Sequence, residues 1–156
     1  MYAPALKEGR FASGLFVLCR YSLKPFAVGL LASGDSGAQP NASSKKTRQA
    51  IVWSSDDPNV AHRMVLMYLH ASQNSRWFDL NRLIVWGPSA KLLAGDKDLQ
   101  AKVKSMMKDG VVVQACIVCA NSYGVTDQLR ALGIEVKGMG KPLANLIKDG
   151  WHVLTF

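Results

Sequence analysis

The chain has 156 residues, of which 49% are apolar and 19% charged. That length holds one domain and that composition suits a packed core, which excludes a chain disordered throughout. The formal net charge of +8 invites a nucleic-acid reading, but +5 of it falls in residues 1–48. The rest is interspersed with acidic residues and no nucleic-acid motif accompanies it, so no nucleic-acid partner is expected.

Residues 1–48 show no period that would mark a domain. Two short apolar runs, Phe11–Cys19 and Pro25–Ala32, are separated by Arg20 and Lys24. Neither approaches the roughly 20 residues a membrane helix needs, so no membrane span is expected. Ser33–Ser44 is small and polar, a linker composition. Two readings stay open. One is a poorly ordered extension on a cytoplasmic protein. The other is an atypical secretory signal, with Arg20 and Lys24 ahead of Phe26–Ala32 and cleavage after Ala38, which would export the protein to a periplasm.

From residue 49 the pattern changes. Gln49–Trp53 reads as a short buried strand, followed by Asp57 as N-cap and Pro58 at the first helical position. The helix runs to about Ser72, with Val60, Ala61, Met64, Met67 and Ala71 at helical spacing. Arg82–Trp86 is a second buried strand, ended by Gly87-Pro88, and Ser89–Ala94 is a short helix. Asp96 caps the next helix, which places Leu99, Val103 and Met106 on one face and stops at Gly110. Val111–Ala115 is the third strand. Thr126 caps a helix through Leu132, and Gly133 stops it. Ile134–Lys137, a helix over Pro142–Lys148, and a fifth strand over Trp151–Phe156 complete the domain, 49–156.

Strands that read as continuous apolar runs, alternating with helices, predict a three-layer α/β/α domain on a mostly parallel five-stranded sheet. Such sheets bind ligands at the carboxyl ends of their strands. Ser54, Ser55 and Asp56, then Gly87 and Ser89, then Cys116, then Gly138 each follow a strand. Parallel strands would bring all of them to one rim. Trp53, Trp86 and Trp151 lie in or beside strands and read as core or interface aromatics.

The chemistry-bearing residues on that rim are Cys116 and Cys119. With Cys19, they are the only cysteines, too few for a disulfide framework. No second C-x-x-C or paired histidines would complete a zinc site, so no metal and no resident cofactor are expected. A thiol acts as a nucleophile only as the thiolate, and the free group titrates near about 8.5. No Lys or Arg lies between Gly110 and Arg130. Activation must therefore come from backbone N–H groups or from residues the fold delivers, with His62 and His70 as candidates. Three uses stay open for the pair: nucleophilic chemistry at Cys116, a Cys116/Cys119 dithiol redox couple, or packing. A non-catalytic module using Ser54, Ser55, Asp56, Gly87, Ser89 and Gly138 as a small-ligand rim is the competing class.

Several segments carry a family likeness: Ile84–Leu93 (Ile-Val-Trp-Gly-Pro-Ser-Ala-Lys-Leu-Leu), Gly110-Val111 running into Ala115-Cys116 and Cys119-Ala120, Tyr123-Gly124-Val125, Leu132–Val136 and Gly150–Phe156. Through them the chain from about Ile51 to Phe156 resembles the DsrE/DsrF-like family. The resemblance implies a thiol-based sulfur carrier or sulfurtransferase, with Cys116 at the position of the persulfide-bearing cysteine. It implies sulfur donor and acceptor proteins, or small persulfides, as partners, and a homo-oligomer, trimer or hexamer. Cys119 is an addition relative to the best-known carriers.

Overall fold

The computed structural model describes residues 46–156. Cys19, the two apolar runs, the linker and the cleavage site after Ala38 lie outside the described residues. The five expected strands form one sheet: β1 (Arg48–Trp53), β2 (Leu80–Val85), β3 (Val112–Cys116), β4 (Glu135–Lys137) and β5 (His152–Thr155). Their order is β4-β3-β2-β1-β5, and every pairing is parallel. The "mostly parallel" expectation thus becomes all-parallel.

That order decides where the helices go. From β1 to β4 the chain always steps to the same side, and right-handed crossovers then place every connecting helix on one face. These are α1 (Pro58–Val60), which passes through a π-helical stretch (Ala61–Val65) into α2 (Leu66–Asn74), then α3 (Ser89–Gly95), α4 (Lys97–Lys108), α5 (Ile117–Ser122) and α6 (Thr126–Ala131). The step from β4 back across the sheet to β5 reverses direction. It therefore carries α7 (Gly140–Lys148) over the opposite face.

Two cores result. The larger joins Ile51, Trp53, Leu83, Val85, Val113 and Ala115 of the sheet to Leu66, Leu69, Leu93, Leu99 and Leu129 of the helices. The smaller joins Ala50, Val52, Ile84 and Cys116 to Met139 and to Leu146 of α7, with Trp86, Cys119, Leu143, Trp151 and Val153 packed around it. The domain is three-layered, with one heavily covered face and one lightly covered face.

The helix starts follow local chemistry. The Asp57 carboxylate accepts from the Asn59 N–H at 2.7 Å, with Pro58 in the first turn. Asp96 accepts from the Asp98 and Leu99 N–H groups at 2.9 and 3.0 Å. Thr126 departs from expectation. Val125 occupies the cap of α6, and the Thr126 hydroxyl instead donates to the Asn121 side chain at 2.7 Å. The short α5–α6 connection places Asn121 within reach of that hydroxyl.

Candidate thiol site

β3 runs one residue further than its apolar pattern indicated and includes Cys116. Strand alternation turns Val113 and Ala115 to the larger core, so Val112, Gln114 and Cys116 face the α7 side. Cys116 is also the N-cap of α5, in extended geometry (φ −74°, ψ 118°), and is 5% exposed. Cys119 lies three residues on, in the first turn of α5. It is half-buried and packs against the same small core. Both thiols are free.

An N-cap side chain reaches back towards the N–H groups of the second and third helical residues, where an oxygen ordinarily accepts. At Cys116 a sulfur stands at the cap position and makes no side-chain cap hydrogen bond of ordinary geometry. Burial pushes the Cys116 thiol up. The Cys119 backbone N–H, the Cys119 thiol, and the backbone N–H groups of Val118 and Met139 act against burial and together hold it below the ordinary thiol range. Cys119 moves the other way. Burial raises it, the Gly87 N–H lowers it, and the adjacent Cys116 sulfur raises it further. The two thiols are therefore unequal: Cys116 is held below the ordinary thiol range and Cys119 above it.

Gly87 and Met139 are the residues the sequence did not point to as thiol partners. Their contribution is a backbone N–H, which no side-chain pattern reveals. The available signal was positional, a Gly-Pro after the second strand and a Gly-Met-Gly after the fourth. Gly87 adopts φ +66°, in the left-handed region that favours glycine, and its backbone N–H lies against Cys119.

The other rim residues have separate tasks. Ser54 donates its hydroxyl to the Phe156 carbonyl at 2.7 Å, fastening β5 to the end of β1. Ser55 accepts from the Asp57 N–H at 3.1 Å. Ser89 is fully buried. Its hydroxyl donates to the Trp53 carbonyl at 2.6 Å and accepts from the Trp86 N–H at 3.1 Å, so it ties β1 to β2. Asp56 lines an open cleft of about 590 Å³ with Pro88, Lys91 and Asp96. Gly138 joins β4 to the turn that presents Met139.

His62 and His70 do not reach the thiols. They sit on the α2–α4 side, where His62 meets Lys102 at 2.9 Å and Asp96 at 4.0 Å, and His70 meets Asn74 at 2.9 Å. Register places Lys137 beside Cys116, but its ammonium is held by Glu135 at 2.8 Å. Among the described residues, no group of three or more His, Cys, Asp or Glu side chains is arranged to hold a metal ion.

The site is thus a pair of unequal thiols at the strand-end rim of an all-parallel α/β domain. The DsrE/DsrF-like family model matches residues 63–156, and the chain belongs to that family. Among solved structures it is similar to the conserved protein of unknown function BT1422 from Bacteroides thetaiotaomicron. The two are 33% identical over 70% of this chain and 94% of the other, with a TM-score of 0.67. The fold also matches MTH1491, a protein of unknown function from Methanobacterium thermoautotrophicum, at 20% identity and TM-score 0.55, over 71% of this chain and all of that one. The ychN protein from E. coli matches at 16% identity and TM-score 0.51, over 70% and 100%. No curated protein matches the chain.

Proposed function

We propose that the protein carries sulfur as a persulfide on Cys116. The observation that carries this reading is the placement of Cys116 as the N-cap of α5, where N–H groups of the first turn of α5 and of Met139 favour the thiolate. The thiolate attacks the outer sulfur of a donor persulfide, the donor thiolate leaves, and Cys116 holds the transferred sulfur as Cys–S–SH. A second thiolate can then accept that outer sulfur. Membership of the DsrE/DsrF-like family supports the reading. The donor is a protein or small molecule that bears a persulfide, and the acceptor is one that bears a thiol.

The test isolates the acceptor. Cys119→Ser treated with a small persulfide is expected to gain about 32 Da, mapped to the peptide containing Cys116. Cys116→Ser is expected to gain nothing on the corresponding peptide. Full labelling of Cys116→Ser removes the assignment. An inert Cys116 together with saturable small-ligand binding at the rim would favour a non-catalytic module instead.

A homo-oligomer, trimer or hexamer, belongs to the same proposal. Leu80 and Val112 are exposed on the lightly covered face. Beside them the Arg48 and Arg82 guanidiniums lie over the Trp151 ring at 5.3 and 4.9 Å, a surface suited to a second copy. Light scattering that returns a monomer would exclude it.

A further inference from the structure

We propose that Cys119 is a resolving thiol that converts the Cys116 persulfide into a Cys116–Cys119 disulfide and releases sulfide. The protein would thereby end a sulfur transfer reductively as well as pass sulfur on. This inference rests on the sulfur-carrier reading and adds the fate of the sulfur.

Three observations carry it. The first is reach. Cys116 is the cap and Cys119 the third residue of the same helical turn. That spacing lies within the Cα separations a disulfide spans, about 4.4–6.8 Å. The second is shared environment, because both thiols are free and pack in the same small core. The third is access. Cys116 is 5% exposed whereas Cys119 is half-buried, so the thiol nearest a loaded Cys116 is Cys119 rather than an external acceptor. An intramolecular attack needs no second encounter and is favoured for that reason.

The step balances. The Cys119 thiol gives up its proton, and its thiolate attacks the inner, Cys116-bound sulfur of Cys–S–SH and forms the S–S bond between the two residues. The bond from that inner sulfur to the outer sulfur breaks, and its electron pair departs with the outer sulfur. The Cys119 proton joins the departing HS⁻, giving H₂S. The outer sulfur is reduced and the two cysteines are oxidised, so no other oxidant enters. Return to the dithiol needs two electrons from an external dithiol reductant.

The experiment treats pre-reduced protein anaerobically with glutathione persulfide and reads sulfide and intact mass together. Wild type is expected to release about one sulfide per chain above the Cys116→Ser background and to lose about 2 Da, with residues 116 and 119 recovered in one cross-linked peptide. Cys119→Ser is expected to keep its added sulfur and release none above background. Wild type that holds the added sulfur with Cys119 still free to alkylation overturns this inference and leaves the carrier reading standing. Absence of both label on Cys119→Ser and sulfide from wild type overturns both. Matching thermal melts for the three proteins exclude misfolding as the cause, and the cross-linked wild-type peptide needs no variant.

Discussion

At Cys116 two opposing effects meet on one sulfur. Burial favours the neutral thiol, and the N–H groups of Cys119, Val118 and Met139, with the Cys119 thiol, favour the anion and prevail. Because the folded-state value is lowered, the linked stability is present above the unfolded thiol range and is lost as pH falls through the lowered value. Cys116 should accordingly react with iodoacetamide at a lower pH than a free thiol. Removing one donor should move it back, so Cys119→Ala is expected to shift the midpoint of Cys116 alkylation upward. A midpoint unchanged in a pH series would mean that the backbone alone sets it. The sequence showed that no cation lay nearby along the chain, and backbone activation was legible by elimination. Which loops supplied the N–H groups was not.

At the scale of elements, the signals read most accurately were those acting within a few residues. Asp57-Pro58 and Asp96 start their helices as their types require. Asp57→Ala or Asp96→Ala is expected to cost about 1 kcal/mol each in urea unfolding, the usual value of a lost cap. A loss below a few tenths would mean that tertiary packing holds those helix starts unaided. Thr126 shows the limit of such reasoning. A residue chosen as a cap by type alone can instead lie inside the helix and bond a neighbouring element, here Asn121 of α5. β3 shows another limit, since its apolar run ended at Ala115 while the pairing of Cys116 with Lys137 of β4 carried the strand on.

For the whole molecule, the strand order leaves α7 alone, among the described residues, over the face that contains Cys116. Leu146 of α7 and Leu69 of α2 are both buried, on opposite sides of the sheet. Each changed to Ala is expected to lose about 2–5 kcal/mol. Only Leu146→Ala should also accelerate alkylation of Cys116, because only that change loosens the cover over the thiol. Equal acceleration by Leu69→Ala would show that general loosening, rather than α7, governs access. No described helix is long and apolar enough to cross a membrane.

The alternation of short apolar runs with capped helices determined the α/β class, the number of strands and the rim position of Cys116. These follow from periodicity and from chemistry local to each turn. The strand order, the single helix over the thiol face among the described residues and the opposite shifts of the two thiols came only with the tertiary structure. Gly87 and Met139 lie far from the pair along the chain, and crossovers alone bring their N–H groups to the sulfurs. Ser89 was drawn from the rim into the seam between β1 and β2 for the same reason, since its partners belong to other elements.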